Sequence, residues 1–136
     1  MRKAGENIIP VSISLKLTDE DLEDIMCSAL EGGVGYWAVL DNMREEYRDA
    51  PEEETVVETT MKILLKGGGV TFMDSEDWKI KWVLTLEKLL RGIKMWAEDW
   101  DGNRFIDGGI LDIGMIDANE ADSILQLALF KDVVFG

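Results

Sequence analysis

Carboxylates are the residues in this chain whose types and spacing could do chemistry, because little else is available. It holds 28 Asp and Glu, a single Cys and no His. Without imidazole, the commonest general base and the commonest metal ligand are both missing. One thiol, Cys27, excludes an internal disulfide and a thiolate metal cluster, and it fits a reducing compartment. It sits beside an apolar stripe and reads as a small packing residue. Among 28 acids accidental pairs are inevitable, so adjacency alone marks no acid–base site. There is no G-x-S-x-G, no Cys–His pair and no dinucleotide fingerprint. The best metal-ligand spacing is Asp99, Asp101, Asn103 and Asp107, positions one, three, five and nine of an EF-hand loop, with Ile106 at the hydrophobic eighth. Arg104 stands where a glycine should allow the turn, and Ile110 where a bidentate glutamate should close the cage. The expectation is an Asp/Gly turn, with no metal and no cofactor.

Two constellations remain. The first lies in LTDEDLEDIMCSALEGGVGYW, residues 17–37. Asp19, Glu20, Glu23, Asp24 and Glu31 share one side of a predicted helix without a base among them, and form a candidate surface for a basic protein partner. Glu45, Glu46 and Glu52 to Glu54 would extend it. The second is Lys79, Lys81 and Trp82, where a cation beside an aromatic ring could hold an anionic, nucleotide-like ligand. Trp78 and Trp82 also suit the apolar face of a strand, and core packing competes with that role.

The elements that must position these residues follow from periodicity. Thr18 can cap a helix that carries Asp19, Glu20 and Asp21 in its first turn, where carboxylates suit the dipole. Leu22, Ile25, Met26, Ala29 and Leu30 repeat at helical spacing, and Gly32 or Gly33 is expected to end the helix at positive φ. Alternation predicts strands over 9–17, 57–65, 70–73 and 78–84, and a short one at 110–113. Gly67, Gly68 and Gly69 are expected to turn a hairpin; a P-loop would need a lysine and a hydroxyl residue directly after the last glycine. Residues 34–48 are read as a second helix, although VGYWAVL alone also suits a short strand. Thr85 caps a helix to Ala97, with Glu87 and Arg91 at i, i+4. Gly92 inside it marks close packing on a neighbour. Asp117 and Glu120 open the last helix with a capping-box pattern. Val133, Val134 and Phe135 form an apolar tail that must dock or bind something. The expected fold is one α+β domain over 1–136: an antiparallel sheet of about four strands with three to four helices on one face.

Charge sets the classes of partner. Apolar residues make up 46% of the chain, enough for a core, and the formal charge is −14. That argues against direct nucleic-acid binding and against adhesion to an anionic membrane. No apolar run reaches the ~20 residues of a membrane span, and Arg2 and Lys3 open no signal segment. Residues 1–61 hold 15 acids and 5 bases, residues 62–97 hold 4 and 7, and residues 98–136 hold 9 and 2. The basic middle, with Lys62, Lys66, Lys79 and Lys81 on outward strand positions, is expected to pair with the acidic segments or to blunt a sheet edge. It could serve the first helix as an intramolecular counterpart, or across subunits in a homo-oligomer.

Three stretches, TDEDLEDIMCSALEGGVGYW, TLEKLLRGIKMW and MIDANEADSILQLALFKDVVFG, together resemble a group of small acidic proteins encoded by phages and mobile elements of Gram-positive bacteria. The resemblance implies a cytoplasmic protein in a host bacterial cell and carries over no catalytic residue. By analogy of setting and charge, it points to counter-defence proteins of the anti-CRISPR type. The expected function is therefore a non-enzymatic acidic inhibitor that mimics phosphate and occupies the basic groove of a host defence effector. The alternatives are a sponge for a nucleotide second messenger, and a phage structural or assembly component.

Overall fold

A computed structural model describes residues 16–99, 106–107, 110–111, 114 and 116–136. The architecture is α+β. In chain order it comprises α1 (Asp19–Ser28), continued by a π-helical turn over Ala29–Gly33, β1 (Ala38–Leu40), α2 (Glu45–Arg48) and α3 (Val56–Leu65). After these come β2 (Gly69–Asp74), β3 (Lys81–Thr85), α4 (Leu86–Asp99), β4 (Ile106–Asp107), β5 (Ile110–Leu111) and α5 (Ala118–Phe130). Among the described residues, β1, β2 and β3 form an antiparallel sheet in that order, and β4 pairs with β5 in a two-stranded ribbon. The expected sheet of about four strands is thus three strands among the described residues. The strand expected over 9–17 lies outside them except for Lys16 and Leu17.

The largest correction concerns 57–65, which is helix α3 and not a strand. Thr55 caps it: its hydroxyl accepts from Glu58 N and its own N–H donates to the Glu58 carboxylate. Val57, Thr60, Met61 and Leu64 face inward. Thr60 is buried because its hydroxyl donates to Val56 O at 2.8 Å, which hides a polar residue inside an apolar stripe. The glycine triplet then ends this helix and turns no hairpin. Gly67 adopts φ 88, Gly67 N donates to Leu64 O and Gly68 N to Ile63 O, which is a Schellman closure. The hairpin lies one element later, between β2 and β3. There Asp74 accepts from the N–H groups of Glu76 and Asp77. Lys62 and Lys66 therefore belong to α3, not to an outward strand row.

Residues 34–48 are not one helix. The stretch 38–40 takes the strand alternative and only 45–48 is helical. Trp78 and Ile80 precede β3 and are exposed, whereas Trp82 packs against the core. The ends of α4 and α5 follow expectation in part. Thr85 caps α4 through Lys88 N, and Asp117 caps α5 through Glu120 N. The Glu120 carboxylate accepts from Trp96 Nε1 at 2.9 Å. Arg91 donates to Ala128 O at 2.6 Å, binding α4 to the carbonyl end of α5 instead of pairing with Glu87.

The core lies between the inner side chains of the sheet (Ala38, Val70, Phe72, Leu84) and the stripes of α1, α3, α4 and α5. α5 is buried from Ile124 through Ala128. Gly92 lets α4 touch it, since a Cβ there would stand 2.7 Å from Ala128 Cβ and Ile124 O. No helix among the described residues is long and apolar enough to cross a membrane.

Candidate functional site

Helix α1 is built as its sequence dictates. Thr18 and Asp21 exchange hydrogen bonds in a reciprocal cap, and Leu22, Ile25 and Met26 are buried. The expected glycine stop does not occur at positive φ. The helix widens into the π turn, and Val34 N donates to Ala29 O at 3.0 Å. Gly33 is needed for proximity: a Cβ there would stand 2.7 Å from Ala118 O, at the start of α5.

This seating turns the predicted partner face outward. Asp19, Glu20, Asp24 and Glu31 are exposed and Glu23 is half-buried. Glu23, Asp24 and Glu31 gather around the half-buried thiol of Cys27, whose pKa is raised by burial first, then by the hydrogen bond to Glu31 and by the three negative charges. A thiol held protonated in this way is a poor nucleophile. The ion pairs among the described residues are Arg44–Glu46, Arg48–Asp49 and Lys62–Glu54, so none reaches these five carboxylates. Nor do three or more carboxylates or thiols converge as a metal cage among the described residues. The face is divergent and charged, and it takes part in no ion pair among the described residues.

The basic middle follows its own partners. Lys62 binds Glu54, holding that carboxyl below its ordinary range together with the Thr59 hydroxyl. Lys88 donates to Val83 O at 2.7 Å. These contacts realise the expected pairing with an acidic segment at Glu54, but they leave α1 alone. Of the extensions, Glu45, Glu52 and Glu53 are exposed, whereas Glu46 and Glu54 are held by Arg44 and Lys62.

A cleft of about 410 Å³ adjoins the C-terminal end of the acidic face. Leu30, Val34, Val56 and Val57 line it together with Glu31, Thr55 and all three residues of β1. Periodicity does not reveal it, because it forms where α1, β1 and α3 meet and residues 57–65 alternate in polarity like a strand.

The alternative anion site is divided by the sheet. Lys81 is opposite Met73 and Trp82 opposite Phe72, so the two point to opposite faces. Trp82 packs edge-on to Trp37 and Phe130 at 5.7 and 5.1 Å. Lys79 and Lys81 are exposed, and Trp78, at 64% exposure, is the accessible ring beside them.

The apolar tail docks on its own chain. Phe135 stacks on Trp37 with centroids 4.9 Å apart. Gln126 Oε1 accepts from Val134 N and Phe135 N, both at 2.7 Å. Gln126 Nε2 and Trp37 Nε1 both donate to Asp122 Oδ1, and Tyr36 OH donates to Asp122 Oδ2 at 2.6 Å. Burial and then this bond push the Tyr36 phenol up to about 12. The predicted EF-hand-like spacing runs through Asp101 and Asn103, which lie outside the described residues. Comparison of the chain with family models, with curated proteins and with solved structures gives no match.

Proposed function

We propose that this is a non-enzymatic interaction protein whose α1 face, Asp19, Glu20, Glu23, Asp24 and Glu31, docks on a basic protein surface. One observation carries the reading: five carboxylates share one outward helix face and none takes part in an ion pair among the described residues. Surplus charge of this kind steers a positive partner from a distance and costs the fold little. With the phage-type resemblance as setting, the partner is a host bacterial defence effector, and the carboxylate row stands in for phosphates in its nucleic-acid groove.

The competing readings have less support. A nucleotide sponge would have to rest on Trp78 and Lys79 at an exposed turn, since Trp82 is committed to the aromatic core. An assembly component that uses its apolar tail would first have to extract Phe135 from Trp37. The test is capture of basic host proteins by the wild type and by a Glu20→Lys/Glu23→Lys/Asp24→Lys variant, at about 0.1 and 1 M salt, where the screening length falls from ~10 to ~3 Å. The expected result is a partner retained at low salt, released at high salt and absent from the variant. Equal retention by a folded variant would remove the α1 face from the contact.

A further inference from the structure

Among the described residues, β1 pairs with β2 on one side and with no strand on the other. Ser75 N donates to Trp37 O at 3.0 Å and Asp41 N donates to Thr71 O at 2.8 Å, while Val39 is registered with Met73. In an antiparallel pair the N–H and C=O of one residue point to the same side, and successive residues alternate. Residues 37, 39 and 41 therefore bond toward β2, and Ala38 and Leu40 turn their polar groups the other way. Ala38 N donates to Val34 O at 2.9 Å. The Ala38 carbonyl and both backbone groups of Leu40 are left aimed off the sheet.

Edge strands are usually blunted by Lys, Pro or a bulge. The sequence Ala38-Val39-Leu40 has no charge and no proline, and it lines the 410 Å³ cleft directly. Leu30, Val34, Val56 and Val57 line the cleft together with the polar Glu31, Asn42 and Thr55, and it continues over Gly35, where an added Cβ would meet nothing within 4 Å. We infer that this edge is the docking line for an extended segment of the basic partner, which adds as a further antiparallel or parallel strand. The inference rests on the proposed function and names the element of the partner that is held. Strand addition supplies main-chain bonds, and alternate side chains supply selectivity. Here one alternate set would enter the cleft beside Leu30, Val34 and Val56, and a Lys or Arg of the segment would meet Glu31. A second copy of this chain is disfavoured as occupant, because each copy would bring a formal charge of −14 to the same edge.

The probe is fluorescein-labelled acetyl-Lys-Val-Lys-Val-Lys-amide, with a twin N-methylated at both valines, which has equal charge but fewer donors for the edge. Anisotropy at low salt should show binding of the first peptide and at least tenfold weaker binding of the second. Gly35→Phe, checked for native circular dichroism, should weaken the first peptide at least tenfold by filling the cleft. Affinity that ignores both N-methylation and Gly35→Phe overturns the edge and leaves the acidic face as the contact. Affinity that responds to both but ignores the triple α1 reversal keeps the edge and removes the acidic-face reading. No binding of either peptide overturns the edge. So does tighter binding of a peptide copying residues 9–17, or a solution dimer that Gly35→Phe dissolves.

Discussion

Asp122 and the α1 trio Glu23, Asp24 and Glu31 carry the same charge in opposite circumstances. Asp122 is 8% exposed and accepts from Tyr36, Trp37 and Gln126, three donors drawn from β1's approach and from its own helix. The α1 trio takes part in no ion pair among the described residues and lies around the Cys27 thiol. A buried carboxylate with three donors holds elements together, because losing it strands the Trp37 indole N–H and leaves Tyr36 and Gln126 to their longer bonds with Phe135 O. A surface carboxylate with no cation beside it contributes little to folding, so its presence is explained by solubility or by what it meets outside.

Removing the buried member should have the largest effect. Asp122→Ala leaves the Trp37 indole N–H and the Gln126 amide without their shared acceptor, and loosens Tyr36. The expected cost is about 3 kcal/mol, read as a shift in the urea midpoint at unchanged slope. A loss under about 1 kcal/mol would show that the network is replaceable and that buried and exposed carboxylates contribute alike to folding. Phe135→Ala tests the layer above it. The stack on Trp37 and the contacts with Trp82 and Phe130 go, while the backbone bonds to Gln126 can persist. About 2 kcal/mol should be lost, since Phe135 is only half-buried, with a change in indole emission.

The same network sets an alkaline limit. Tyr36 is raised to about 12 from an ordinary 10, so the folded state keeps a proton that the unfolded state releases. Its contribution is complete below about pH 10 and fades as pH rises from there through 12. The ring is 56% exposed, and solvent screening reduces the effect to roughly 1 kcal/mol. Thermal melts between pH 9 and 11.5 should fall more steeply for the wild type than for Tyr36→Phe. Parallel curves would mean the phenol is solvated in both states.

How legible these two regions were in the sequence differs for a physical reason. α1 was readable because its cap, its first-turn acids and its stripe all point to one period. The tail's need to dock was readable, and so was Gly92, whose cost in a helix is justified only by contact. Asp122 and Gln126 were not readable, because a polar residue in a buried stripe looks like a surface residue until its distant donors are known. Thr59 and Thr60 misled in the same way. Thr59 donates its hydroxyl to the Glu54 carboxylate and Thr60 to Val56 O, so VVETTMKILL alternates in polarity while folding as a helix. The Thr55–Glu58 cap was the available signal, and with it the glycine triplet would have read as a helix end. The cleft beside β1 depends on that helix and vanished with it. Gly33 shows the remaining gap, since a glycine selected for closeness to Ala118 O looks in sequence like one selected for positive φ.

The smallest stability effect should come from the most drastic change of charge. Glu20→Lys/Glu23→Lys/Asp24→Lys moves the formal charge from −14 to −8, because each reversal adds two. Glu20 loses its favourable place near the helix N-terminus, at about 0.3–1 kcal/mol. Glu23 and Asp24 take part in no ion pair among the described residues, and relief of self-repulsion works in the opposite direction. The net change should lie within about 1 kcal/mol by urea unfolding, against ~3 for Asp122→Ala alone. Partner retention should nonetheless disappear, and Cys27 should become more reactive toward a maleimide as two of the charges that hold its thiol protonated are inverted. A reversal that unfolds the chain would mean that the α1 carboxylates are bound into the structure after all, and the distinction between a holding carboxylate and an offering one would fall.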